Sequence, residues 1–208
     1  MRRLVVECIG TFFFLLTIAL TANALAIACM LMAWVYIGGY ISGGHYNPAV
    51  TLAVGLRGEW QWVSILRYWA AQVLGGILAF ATAYYLSGNV ILPEPAAGVS
   101  FGKAFLVEVL LAFVLALVVL VVGVSERFKN SAVFGFAIGF TIPALAALGS
   151  PISGGLFNPA IAIGSHIVAI TKGVPLQGMT LLLYVGGALL GGALAAYAYN
   201  YFRYDEKR

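Results

Sequence analysis

Polar residues are so sparse between Leu4 and Ser42 that the stretch reads as almost unbroken apolar sequence. As one α-helix it would reach about 58 Å at 1.5 Å per residue, roughly twice the hydrocarbon core of a bilayer. A turn is required, and Thr21-Ala22-Asn23 is the best place for it, which predicts helices over 4–21 and 24–42. Later apolar runs predict helices over 61–87, 102–124, 131–149 and 176–202. Two apolar pieces are too short to cross. Pro48 to Arg57 and Pro159 to about Ile170 each give about 15–18 Å of helix, half the core. Prolines and glycines between Gly88 and Ser100 mark a connecting loop rather than a helix. The chain thus divides into halves, 1–97 and 98–208, each with three spans and a short helix before the third. Three is odd, so the second half must enter the membrane upside down. The expected fold is an all-α polytopic membrane protein with six transmembrane helices, two re-entrant half-helices and an inverted repeat. Such repeats place a site at their interface near the midplane.

Composition agrees. Of 208 residues, 62% are hydrophobic and 9% charged, with a mean hydropathy of +1.01. That is too little charge to cover a soluble domain, so the lipid bilayer is the expected surrounding. The pI is about 9.1, yet the basic residues gather into no single face or tail, which argues against nucleic acid as a partner. They sort by side instead. With six spans, Arg2, Arg3, Arg57, Arg67, Arg127, Lys129, Arg203, Lys207 and Arg208 share the side of the termini, leaving only Lys103 and Lys172 opposite. The positive-inside rule then makes both termini cytoplasmic, in a multi-pass protein of the cell membrane, plasma or inner. Trp60, Trp62, Tyr199, Tyr201 and Tyr204 suit the aromatic belt of that face.

Little in the chain invites other chemistry. Cys8 and Cys29 read as small buried hydrophobes, and His166 has no metal-spaced neighbour, so neither a metal nor a cofactor is expected. No nucleophile–base pair or nucleotide loop stands out, so no enzyme is expected. The basic start, Met1-Arg2-Arg3 before an apolar run, resembles a signal peptide. That reading is rejected because the first segment carries Glu7, which the second half repeats as Glu108.

One phrase is written twice. "ISGGHYNPAV" runs from Ile41 to Val50 and "ISGGLFNPAI" from Ile152 to Ile161. Ser-Gly-Gly breaks the preceding helix and leaves carbonyls without helical partners. Such backbone survives at membrane depth only where protein buries it or where it lines a wet cavity. Asn47 is then a favoured N-cap and Pro48 an ideal first helical residue. The Asn47 oxygen can accept from the amide of Ala49 or Val50, leaving its NH₂ to donate outward. Inversion brings Asn158, Pro159 and Ala160 from the opposite face with the same geometry. Two helix N-termini, with their positive dipole ends, and two Asn amides are expected to meet mid-membrane. Carbonyls of Gly43, Gly44, His45 and Tyr46 line one approach, and those of Gly154, Gly155, Leu156 and Phe157 the other. The pattern is a hydrogen-bonding ladder through an apolar wall, which is a pore.

These residues carry a resemblance. The chain resembles the aquaporin/glycerol-facilitator, or major intrinsic protein, family, whose signature is two Asn-Pro-Ala boxes on half-helices. The likeness also covers "ECIGTFF" from Glu7, "AAQVLGG" from Ala70 and "AIGF" from Ala137. It implies a passive channel for water or small neutral solutes such as glycerol. It further implies a central water that accepts from both Asn amides, a proton wire interrupted there, and a homotetramer with one pore per subunit.

The remaining candidates read as structural. Glu7 and Glu108 occupy matching places and are expected to tie down the loop amides as buried acceptors. His45 is expected to be a similar hydrogen-bonder. The pairs Gly75-Gly76, Gly186-Gly187 and Gly191-Gly192 suit close helix approach.

The chain departs from the family at its outer filter. Where water and glycerol channels continue the second box with Arg, this sequence has Ile161, followed by Ala162. The other filter positions fall at Ile27, Ala146 and Gly155. The resulting filter is apolar, uncharged and short of side-chain donors. Losing bulky polar groups widens the opening, whereas losing donors raises the cost of stripping water from a polar solute. Two rival functions remain at this point. An inverted-repeat secondary transporter would need an ionisable group facing the pore. A structural membrane protein would have its pore shut.

Overall fold

A computed structural model of the protein describes residues 1–125, 128 and 133–202. Arg127, Lys129, Arg203, Tyr204, Lys207 and Arg208, which entered the charge and belt expectations, lie outside the described residues. Every regular element among the described residues is a helix: α1 Arg2–Thr21, α2 Ala24–Ser42, α3 Pro48–Val54, α4 Trp62–Ser87, α5 Phe101–Val119, α6 Phe134–Gly149, α7 Pro159–Thr171 and α8 Gly178–Phe202. A π-helical turn follows α3 at Gly55–Glu59 and another follows α5 at Leu120–Val124. Five helical stretches are long and apolar enough to cross a membrane. The sixth expected span, α6, is apolar but has 16 residues, or about 24 Å.

The expected turn at 21–23 is built from its own side chains. Ala22 closes α1 in the left-handed region at φ 48°, and Asn23 caps α2 by accepting from the amides of Leu25 and Ala26, each at 3.0 Å. Gly43, at φ 99°, ends α2 and releases the chain into the first repeated phrase.

The helices pack through small residues. A Cβ on Gly75 of α4 would collide with the Cys8 carbonyl of α1, and one on Gly191 of α8 with the Val109 carbonyl of α5. The adjacent glycines do the same for the half-helices. A Cβ on Gly76 would stand 2.7 Å from the Ala160 carbonyl oxygen of α7, and one on Gly192 would strike the Ala49 carbonyl of α3. Glycine lets these backbones touch, as small residues do between membrane helices. Outward faces carry exposed apolar side chains, among them Val5, Leu66, Leu106, Phe136 and Leu182, so the bundle is greasy on its outside too.

Candidate pore

The broken segment after α2 is held from below by one carboxylate. Glu7 is fully buried. Its Oε1 accepts from Ser42 Oγ at 2.7 Å and from the His45 amide at 3.0 Å, and its Oε2 from the Tyr46 amide at 2.8 Å. Ser42 Oγ in turn accepts from the Gly44 amide at 3.1 Å, and Tyr68 Oη donates to the Ser42 carbonyl at 2.8 Å. These bonds supply the partners that an unwound backbone lacks in lipid.

The second half repeats the arrangement almost bond for bond. Glu108 is fully buried. It accepts from Ser153 Oγ at 2.6 Å, the Leu156 amide at 3.0 Å and the Phe157 amide at 2.6 Å. Ser153 Oγ accepts from the Gly155 amide at 3.1 Å, and Tyr184 Oη donates to the Ser153 carbonyl at 2.6 Å. Backbone strain is matched as well. Gly43, Gly44 and Tyr46 have φ of 99°, 66° and 48°, and Gly154, Gly155 and Phe157 have 90°, 65° and 35°. Tyr46 and Phe157 are unusual non-glycine residues in that region, and the carboxylate bond to each amide holds them there.

The halves differ in the polar network around Thr51. Gln72 Nε2 donates to Glu7 Oε2 and to Thr51 Oγ1, each at 2.8 Å, and His45 Nδ1 lies 3.1 Å from the same Thr51 oxygen. The His45 ring packs against Trp60 and Tyr68, its centroid 5.4 Å from each, and those two rings touch each other at 4.7 Å. In the second half the residue matching Thr51 is Ala162, so the chain has no such network there.

The two boxes meet. Asn47 Oδ1 accepts from the Ala49 amide at 2.8 Å and Asn158 Oδ1 from the Ala160 amide at 3.0 Å, each capping its half-helix. Asn47 Nδ2 then donates to the Phe157 carbonyl at 2.9 Å, and Asn158 Nδ2 to the Tyr46 carbonyl at 3.1 Å. This reciprocal clasp was not expected from sequence, which left the whole NH₂ free. Each primary amide has two hydrogens, so one remains per Asn after the clasp.

Two cavities adjoin at this clasp. A vestibule of about 380 Å³ opens at the end where α1 turns into α2, and all four expected filter positions, Ile27, Ala146, Gly155 and Ile161, line it together with Gly154, Leu156 and Phe157. A central pocket of about 10 Å³ is lined by Asn47, Asn158, Gly44 and His45 among others. That volume is at the lower limit of what admits one water. The other expected pore residues lie in the wall. Gly43 and Tyr46 line neither cavity, and the Tyr46 hydroxyl donates to the Trp34 carbonyl at 2.7 Å. Pro48, Ala49, Pro159 and Ala160 are buried, with the Pro48 carbonyl accepting from Trp69 Nε1 at 2.9 Å. Glu7 and Glu108 line neither cavity.

Sequence reasoning missed the apolar side of the central pocket: Phe14, Leu31, Val50, Leu115, Val119 and Ile138. A signal existed for two of them. Phe14 and Leu115 each stand two helical turns after a buried glutamate, Glu7 and Glu108, and therefore on the same inward face.

Two half-helices clasped at their N-terminal ends inside a bundle of apolar helices, with a cavity leading to paired amides, define a membrane channel. Comparison with known proteins gives the same class. The family model described as Major intrinsic protein matches residues 1–199. A probable NIP-type aquaporin of Nicotiana alata is 31% identical over 225 aligned positions, covering 100% of this chain and 80% of that protein. Aquaporin TIP1-1 of Arabidopsis thaliana is 32% identical over 186 positions, covering 88% and 72%. The X-ray structure of the aquaglyceroporin from Plasmodium falciparum superposes with a TM-score of 0.82 at 20% identity, covering 96% of this chain and 95% of that one. The chain belongs to the major intrinsic protein family. It is a multi-pass membrane protein and a passive channel for water and small solutes, not an enzyme.

Proposed function

We propose that water and small uncharged solutes cross by way of the vestibule and the central pocket, passing Asn47 and Asn158 in single file. In this reading the remaining amide hydrogen of each Asn donates to the passing water. The water accepts from both and has no acceptor of the same kind on that side to which it could hand a proton. The N-terminal dipole ends of the half-helices disfavour cations at the same point. Halves 1–97 and 98–208 act as the inverted repeat that brings the boxes together. Pro48, Ala49, Pro159 and Ala160 form the rigid wall, and Ile27, Ala146, Gly155 and Ile161 form an apolar mouth. The positive-inside bias supports cytoplasmic termini in the cell membrane, and the family supports a homotetramer with a pore in each subunit.

The observation that carries the reading is the shared lining of one small pocket by Asn47 and Asn158, beside a vestibule lined by the four predicted filter positions and by Gly154, Leu156 and Phe157. The transporter is disfavoured because each intramembrane carboxylate accepts three loop hydrogen bonds and lines neither cavity. Stopped-flow light scattering on proteoliposomes tests it. Osmotic shrinkage should exceed that of protein-free vesicles, reverse with the gradient and ignore an imposed sodium or proton gradient. Flux that needs such a gradient would make the protein a transporter, and no flux above the lipid would make it a closed, structural protein.

A further inference from the structure

We infer that the Phe14 ring, and not the quartet at Ile27, Ala146, Gly155 and Ile161, sets the size limit for solutes in this channel. The inference rests on the channel reading above. The quartet lines a vestibule of about 380 Å³, whereas the pocket just beyond holds about 10 Å³. The space beside the quartet is thus far roomier than the space beyond it. Two residues line both cavities, Phe14 and Phe157. Phe157 is fixed in the loop by hydrogen bonds: its amide N–H donates to Glu108 and its carbonyl accepts from Asn47. Phe14 is the partition contributed by the helical wall, and it is 4% exposed.

Chemistry reinforces width. Apart from Asn47, Asn158, His45 and Gly44, the central pocket is lined by apolar residues, among them Leu31, Leu115, Val119 and Ile138, which offer no side-chain hydrogen-bonding group. A water entering past Phe14 keeps two bonds, one from each free Asn hydrogen. A polyol brings several hydroxyls, and those facing the aliphatic side are left unpaired, at the cost of a desolvated hydroxyl each. Leu115 holds the matching place after Glu108, so the second half has a smaller, more adaptable side chain where the first has a rigid ring.

The test is the ratio of glycerol to water permeability in proteoliposomes, measured by stopped-flow for wild type, Phe14→Ala, Phe14→Leu and Ile161→Ala. Water should move fast and glycerol slowly in wild type. Phe14→Ala should raise the ratio about tenfold, the change given by a barrier lowered by roughly 1.4 kcal/mol. Phe14→Leu should raise it less, and Ile161→Ala less than Phe14→Ala. A wild type that already passes glycerol as readily as Phe14→Ala overturns the assignment. So does a ratio that follows Ile161 and ignores Phe14. Loss of water flux in both Phe14 variants, with helical circular dichroism intact, overturns it as well, since widening cannot close a pore. Absence of water flux in wild type is a different failure, that of the channel reading itself.

Discussion

Asn47 and Asn158 each divide one side chain between capping a half-helix and clasping the opposite loop, and in the proposed pore the remaining hydrogen of each faces the bore. Replacing both by Asp keeps the cap oxygen, removes the clasp donor and sets negative charge in the pocket that both residues line. The double variant should therefore admit cations, read as a shifted reversal potential under an ion gradient. Unchanged ion and solute selectivity in a folded double variant would remove these residues from the pore. Glu108 acts at one remove, through the amides of Leu156 and Phe157. Glu108→Gln turns one acceptor into a donor facing a donor, at about 1–3 kcal/mol for each buried group left unpaired. The thermal midpoint in detergent should fall, and a midpoint equal to wild type would show that the loop is held by something else. Repetition made the asparagines and the glutamates legible in the sequence. The tyrosine hydroxyls of Tyr68 and Tyr184 were not legible, because they come from the second turns of α4 and α8, outside the repeated phrases.

At the scale of elements, the close approach of α8 to α3 depends on a missing side chain. A Cβ at Gly192 would collide with the Ala49 carbonyl, which is backbone and cannot swing aside. Gly192→Ala should cost about 1–3 kcal/mol through overpacking, seen as a lower thermal midpoint and reduced water flux together. An unaffected protein would mean that α3 and α8 have slack between them. Helix ends came through the sequence well where a residue marks them, as with Asn23, Pro48 and Pro159. The π turns after α3 and α5 did not. The turn after α5 continues an apolar run, whereas the one after α3 passes through Gly55, Arg57 and Gly58; in neither does one extra residue per turn leave a trace in the hydrophobic pattern.

The whole molecule is apolar outside and narrow at its centre, and these two facts were legible to different degrees. Outward apolar faces follow from composition alone. The narrowing depends on how Phe14 of α1, Leu31 of α2 and Leu115 of α5 converge, which no single segment records. The central claim is that water passes the Asn pair while charge does not. The most direct measurement records osmotic shrinkage and proton flux on the same proteoliposomes, using a light-scattering trace and an internal pH dye. Shrinkage well above protein-free vesicles with proton flux equal to theirs is the predicted result. Shrinkage no faster than that of bare lipid, or a proton flux that rises with the water flux, would contradict it.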